Sequence, residues 1–402
     1  MHHRVFGAAA RVKGLDFKRG SMSRRSVPVG AAFLVSAALT AAGFFVSVVP
    51  LIIAYLPFGA AILFKAPSLK FGFVSGHFVW VALVSAWGLS ALGYDGLYSL
   101  SASLGAGVAL SLFMAVGTVG FTSLLLCFVA WFPANPLLIT GAIYPGMGII
   151  GLLLLAVLAG LIELRRKKQM PFTLVALFIA STLMANTLNL IRAEPEQKSG
   201  QGLDASAFRM IELDNDAYLT RSGEWRMLAT HIPANSTAVL GENIFRFDDA
   251  AGINHWCRVA ARKNAQIFIG VEGQGGASEI WRFDRASCPE PEQVYSARVA
   301  IPGITGPVVT GLSSWGSLLA SSDPVLWVAC FEGFSIVRWI GVAGSAAQLA
   351  VVVSNDELTS PFPTSLMRKK VAGLFARLFH IEVAHADKGT AMLVSDAWSI
   401  SK

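Results

Sequence analysis

Long apolar blocks fill the first half of the chain and short ones the second. The long blocks lie at roughly 28–48, 49–64, 71–92, 104–133, 137–163 and 171–191. A bilayer-spanning helix needs about 20 apolar residues, so most blocks predict one span each, about six to seven in all. Together they predict a transmembrane helical domain over 28–191. The block at 49–64 is short, and Pro50 beside its start predicts a tight helical hairpin there.

Beyond residue 191 the pattern changes. Residues 192–235, with the polar run EPEQKSGQGLDAS, read as a linker and the approach to a second domain at 236–402. In that domain STAVLGEN (236–243), QIFIGVEG (266–273), EIWRFD (279–284), VYSARVAIPG (294–303), VLWVACFE (325–332) and QLAVVVSND (348–356) are strand-like. DDAAGINHWCRVAARKNA (248–265) has helical spacing behind an Asp pair, which favours a helix N-terminus. PFPTSLMRKKVAGLFARLF (361–379) reads as an amphipathic helix. Strands interleaved with helices predict a layered α/β domain with a mixed sheet, its functional residues at strand ends.

Composition sharpens the division. The chain is 54% hydrophobic and 14% charged with mean hydropathy +0.58, too apolar for an ordinary soluble enzyme. Residues 1–191 hold 13 of the 32 Lys and Arg but only three acids, Asp16, Asp95 and Glu163, which leaves 19 cations and 22 acids for the rest. The basic pI of about 9.3 therefore belongs to the membrane half and gives no ground for direct nucleic-acid binding. The 13 cations fall in three groups: a basic N-terminus at 1–27, Lys65 and Lys70 beside a short loop, and Arg165–Lys168. Lys- and Arg-bearing loops stay cytoplasmic. An even number of spans must then separate the first group from the third, which five blocks do not supply. Either 28–64 is one long or re-entrant element, or 104–163 forms three spans broken near Phe121 and Tyr144–Pro145. Both restore the rule and lead the helix at 171–191 outward, so the polar domain is expected outside the cytoplasm. Polar residues inside the blocks are few (His77, Asn135, Asn186, Asn189), and His77 is expected to hydrogen-bond between helices.

Three strand ends carry reactive or polar groups: Glu242; Cys330 with Glu332; and Ser354-Asn355-Asp356. A buried Cys alone is usually core packing. Carboxylates converging on it change that, because a thiol attacks a carbonyl only with a base to take its proton and donors for the oxyanion. Glu242 is the candidate base, and the amide after Cys330 a candidate oxyanion donor.

These residues resemble the nitrilase, or carbon–nitrogen hydrolase, superfamily. Membrane helices followed by such a domain resemble, more narrowly, apolipoprotein N-acyltransferases. The resemblance implies an α-β-β-α sandwich and a Glu–Lys–Cys triad, with Glu242 in VLGEN as base and Cys330 in Cys-Phe-Glu as nucleophile. Tyr295, Ile301 and Pro302 keep the frame around the family's lysine, yet the lysine position is Ala297, followed by Arg298. Arg holds its proton and cannot replace a shuttling Lys, and on a strand Arg298 faces the other way unless a bulge turns it. Thr305 stands where the family has a second glutamate, Phe331 where it has Tyr, and the sequence reaches Lys402 without the family's closing membrane helix. A lysine-poor membrane relative of these enzymes is associated with the TraB family of plasmid conjugal transfer proteins, which the chain also resembles.

Two functions follow. In one, Cys330 accepts an acyl group from a lipid or lipidated protein and passes it to an amine or water, with Glu242, Glu332 and Arg298 as the remaining candidate site residues. In the other, the domain is a scaffold or binding component of the mating apparatus. No cofactor is implied. The spacing of Cys and His suits no zinc site, and GVEGQGG (270–276) reads as a turn rather than a phosphate loop. His231 and His255 are expected as ordinary surface or core histidines. Arg368-Lys369-Lys370 is expected on the solvated face of a helix. Cys257 and Cys288 are free to be paired or unpaired, a disulfide being permitted outside the cytoplasm.

Overall fold

The computed structural model describes residues 23–91, 93–126, 135–166, 208–211, 221–297, 324–345, 347–355, 362–388 and 392–395. The first part is a helical bundle. It comprises α1 (Ser23–Phe45), α2 (Leu56–Leu63), α3 (Pro67–Ala91), α4 (Gly96–Val116), α5 (Val119–Leu126), α6 (Thr140–Ile143) and α7 (Gly148–Arg166). Among the described residues four helices are long and apolar enough to cross a membrane, within α1, α3, α4 and α7. The block expected at 49–64 does not make a full helix. Pro50 starts a 3-10 turn at Leu51–Tyr55, and α2 adds eight residues, about 12 Å of rise. The block at 104–133 is broken at Gly117–Thr118, between α4 and α5, and the block at 137–163 between α6 and α7. The block at 171–191, with Asn186 and Asn189, lies outside the described residues.

Close packing fixes the directions of these helices. A Cβ on Gly72 or Gly76 of α3 would strike the carbonyl oxygens of Val29 or Phe33, and Trp80 Nε1 donates to Ala37 O at 2.7 Å. The two sequences advance together, so α1 and α3 are parallel. α5 and α7 are antiparallel, with Gly120 against Ala156 and Gly160. His77 bridges helices as expected, 3.1 Å from Thr40 Oγ1 and 2.9 Å from the Ala54 carbonyl. Lys70, expected beside a loop, is instead buried in an ion pair with Glu163, whose second oxygen accepts the Val119 N–H. Burying a charge is costly without a partner. Here the partner comes from a helix 93 residues away in sequence and joins the starts of α3 and α5 to the end of α7.

The second part is a mixed α/β domain in four layers. Its helices are α8 (Arg221–His231), α9 (Ala250–Lys263), α10 (Ile336–Ile340) and α11 (Thr364–Phe379). The larger sheet has the order β1 (Phe208–Ile211), β10 (Met392–Ser395), β2 (Thr237–Val239), β4 (Gln266–Glu272), β5 (Ser278–Phe283) and β6 (Glu292–Ser296). β3 (Phe245–Arg246) also pairs with β4, parallel to it. The smaller sheet is parallel: β7 (Val325–Ala329), β8 (Leu349–Asn355) and β9 (Glu382–Lys388). Val239, Phe268 and Ile280 of the first sheet interdigitate with Trp327, Val351 and Ala386 of the second. Outside the larger sheet lie α8 and α9, with Trp225 and Trp256 in their core. Outside the smaller sheet lie α10 and α11. Residues upstream of 236 belong to this domain too, since β1 pairs with β10 and α8 packs on the larger sheet.

Five of the strand-like stretches and both helices overlap strands and helices of the structure, and the start of the sixth stretch falls in β6. The strand at 325–332 is shorter, ending at Ala329, where Cys330–Phe334 turns into a 3-10 helix. The stretch 294–303 is described only to Ala297, and GVEGQGG spans the β4–β5 turn. Cys257 of α9 and Cys288 form a disulfide.

The halves meet at α11. Its Lys370, expected in solvent, donates from Nζ to the carbonyls of Gly43, Val46 and Val49 at 2.7–2.8 Å, closing the end of α1. Carbonyls at a helix C-terminus lack internal donors, which is why an ammonium settles there. Burial lowers the Lys370 pKa. Gly141 must be glycine, since a Cβ there would lie 1.8 Å from the Leu374 carbonyl oxygen. The cations at the starts of α1 and α3 and at the end of α7 thus lie at the end of the bundle opposite the α/β domain.

Candidate active site

The site forms where the two sheets end together. Ala329, the last residue of β7, is in register with Val353 of β8, so Cys330 and Ser354 follow at the same level. Glu242 arrives from the other sheet: its backbone N–H donates to the Ser354 carbonyl at 3.0 Å. Neighbouring strands sit about 4.8 Å apart, so the backbones of Glu242 and Cys330 both border the end of β8.

Local sequence makes this approach possible. After β2 the chain runs across β4, with Gly270 N–H donating to Gly241 O at 3.2 Å and Ile244 N–H to Gly270 O at 3.0 Å. A Cβ on Gly270 would come within 2.5 Å of the Glu242 Cα, so glycine is required. Asn243 then adopts φ +58°, a left-handed conformation that Asn tolerates, and turns the chain into β3. Glu242 is left buried at the turn.

Glu332 has a different setting. It is 1% exposed. Its Oε2 accepts the Tyr295 hydroxyl at 2.7 Å and the Ala329 N–H at 3.3 Å. One carboxylate therefore closes the turn that begins with Cys330 and ties that turn to β6 of the opposite sheet. Arg338 completes the support: its guanidinium lies 4.6 Å from the Tyr295 ring centroid and donates from Nε to the Trp327 carbonyl at 3.0 Å. Glu332 thus holds the turn, while Glu242 approaches across the end of β8.

The remaining candidates divide. Ser354 Oγ donates to Asp387 Oδ1 at 3.1 Å, and Asn355 is buried beside it. Asp356, Arg298, Ile301, Pro302 and Thr305 lie outside the described residues. Ala297 packs against the core between the sheets, its N–H donating to Ser278 O at 2.7 Å. Arg368 is a correction: expected in solvent with Lys369 and Lys370, it is buried, 5.3 Å from the Phe334 ring centroid and against Gly333 of the same turn. Only Lys369 of the three is exposed. Arg338 went unnoticed in the sequence, although a cation inside the apolar run SIVRWIG is the kind of signal that marks it.

Both unassigned histidines are structural neighbours of aromatic or backbone groups. His231 Nδ1 lies 2.8 Å from the Met227 carbonyl, and the His255 ring meets Trp256 edge-on at 5.1 Å. Burial lowers the His255 pKa against an opposing hydrogen bond to the Trp225 backbone, and Arg258, Arg226 and Arg262 lower it further. Among the described residues no cluster of His, Cys, Asp and Glu is arranged to hold a metal ion. No protein-family model matches the chain, and no curated protein matches it.

Proposed function

We propose that this protein is a membrane-bound acyl-transfer enzyme of the nitrilase type, related to the apolipoprotein N-acyltransferases and serving plasmid conjugal transfer. The observation that carries the chemistry is the hydrogen bond from Glu242 N–H to Ser354 O, which brings the base's strand end to the end of β8, the strand paired with the nucleophile's β7. The link to conjugation rests on the resemblance of the motifs at Glu242, Cys330 and Ser354-Asn355-Asp356.

The chemistry runs in two halves. Cys330 gives its proton to Glu242 and attacks an ester or amide carbonyl carbon, forming a C–S bond while the carbonyl oxygen takes the displaced electron pair. Amides at the start of the 3-10 turn are suited to that oxyanion, because leading helical N–H groups lack acceptors within the helix. Collapse expels the alcohol or amine, which recovers the proton from Glu242. A second amine, or water, then attacks the thioester, with Glu242 taking its proton and the thiolate leaving. Losing one oxyanion donor costs about 2.7–4 kcal/mol of barrier, so replacing the family's lysine with Ala297 predicts slow turnover.

The membrane is the bacterial inner membrane, with the α/β domain on the periplasmic side. Two observations support this orientation: the cationic loops sit at the opposite end of the bundle, and the domain carries a disulfide. One observation favours a second function. Ala297 packs half-buried against the core where the resemblance expects a lysine, as suits a scaffold of the mating apparatus that keeps the fold without the chemistry.

Plasmid transfer frequency separates the two. A donor lacking the protein is complemented with wild type, Cys330→Ala or Glu242→Ala at matched membrane abundance. Acyl transfer predicts that wild type restores transfer and both variants fail. Full restoration by both variants identifies the scaffold, and no restoration by wild type removes the link to conjugation.

A further inference from the structure

We infer that the free face of α11 is a docking surface for anionic phospholipid headgroups at the rim of the bundle, a role separate from the acyl-transfer chemistry. Two faces of this helix are accounted for by its contacts. Met367, Val371, Phe375 and Leu378 pack in the core under the smaller sheet. Lys370 and Leu374 meet the bundle at the end of α1 and at Gly141. A third line, Lys369, Gly373 and Arg377, spaced by four residues, is exposed. Residues 364–380 contain four cations and no Asp or Glu; the nearest acid in sequence is the exposed Glu382.

The height of this line is set by aromatic residues. Phe362, just before α11, packs on Phe45 and on Trp87, with ring centroids 5.9 and 6.3 Å apart. Trp87 is 49% exposed on the last turns of α3, and Tyr94 and Tyr98 are exposed at the same end. Trp and Tyr concentrate where hydrocarbon meets headgroups. α11 therefore starts in that belt and crosses the bundle end toward Gly146 and Gly148, whose neighbours are Arg377 O and the Phe379 ring. An amphipathic helix held flat at this level with a cationic free side suits the phosphates of anionic lipids. Charge selects this occupant: an apolar partner leaves Lys369 and Arg377 without counter-charges.

Gly373 offers a site for a probe, since no atom lies within 4 Å of a Cβ placed there. The full chain carrying Gly373→Cys, with Cys127→Ser and Cys330→Ser and the disulfide kept, is labelled with benzophenone maleimide. It is reconstituted in phosphatidylcholine vesicles containing phosphatidylglycerol and irradiated. The anionic lipid is expected in the cross-linked fraction about fivefold above its share of the bilayer, since each interfacial cation favours it. Lys369→Gln with Arg377→Gln should bring it down to that share, while Lys369→Arg with Arg377→Lys should retain the enrichment. The same label at exposed Ala261 of α9 should cross-link no lipid. Cross-links at 373 to protein or to no lipid, lipid in bulk proportion, or enrichment that survives neutralisation would each overturn the assignment.

Discussion

The two sheets of the α/β domain are covered in different ways. Outside the larger sheet lie helices of the domain itself, α8 and α9, the second tied by the Cys257–Cys288 disulfide to the segment after β5, and the core closes locally. Among the described residues the smaller sheet has only α10 and α11, and its outer face joins one continuous core with the bundle. Leu326, Val352, Trp339 and Phe375 share that core with Phe44, Tyr55 and Leu138. The first face is built like a soluble protein's. The second is finished by the membrane domain, and it is the one whose strand ends carry Cys330 and Ser354. The candidate site is thus supported from the bilayer side.

The largest effect comes from removing that support. Residues 208–395 expressed without the bundle are expected to aggregate, because the face of β7 and β8 that carries Leu326 and Val352 loses its cover. A soluble monomer with protected β8 amides in hydrogen exchange would break the comparison. Next is Trp339→Ala, which empties a fully buried site stacked on Phe375 and is expected to cost about 3–5 kcal/mol. Thermal unfolding in detergent measures it.

Cysteine and lysine variants test the two faces separately. Cys257→Ser with Cys288→Ser should lower stability by about 2–4 kcal/mol, and exchange should rise in α9 and β5 but not in β8. Lys370→Met removes three hydrogen bonds from one ammonium, at about 1.5–3 kcal/mol each as an upper bound for charged donors. Its exchange increase should appear in α11 and at the end of α1.

The smallest effect is a pH dependence of the outer face. With its folded pKa depressed below 6.5, His255 binds a proton more readily in the unfolded chain. Stability is therefore full above about pH 6.5 and declines as pH falls toward the folded value. His255→Gln should flatten that decline in α9 exchange and leave α11 unchanged.

How much of this was legible in the sequence follows from the same contrast. β7 and β8 are buried on both faces, so they read as unbroken apolar runs, and α9 showed its amphipathic period and its Asp249 cap. β9 was missed because EVAHADK buries His385 and Asp387, polar residues that look like a loop until Ser354 and the sheet supply their setting. α8, with RSGEWRMLATH, has too weak an apolar stripe to stand out from a linker. The convergence of strand ends was readable from Glu242, Cys330 and Ser354, but the tie of Glu332 to the opposite sheet was not. It depends on Tyr295, 37 residues before Glu332. Lys70 and Lys370 show the same limit, since a cation beside a loop or on an amphipathic helix gives no sign of a distant partner.

The most direct test of the central claim is the mass of the peptide carrying Cys330 in protein isolated from membranes. A hydroxylamine-labile acyl increment on Cys330 is expected in wild type, absent in Cys330→Ser and strongly reduced in Glu242→Gln. An unmodified Cys330 peptide in wild type, with alkylation by iodoacetamide equally slow in wild type and Glu242→Gln, would contradict it and leave a core thiol in a scaffold.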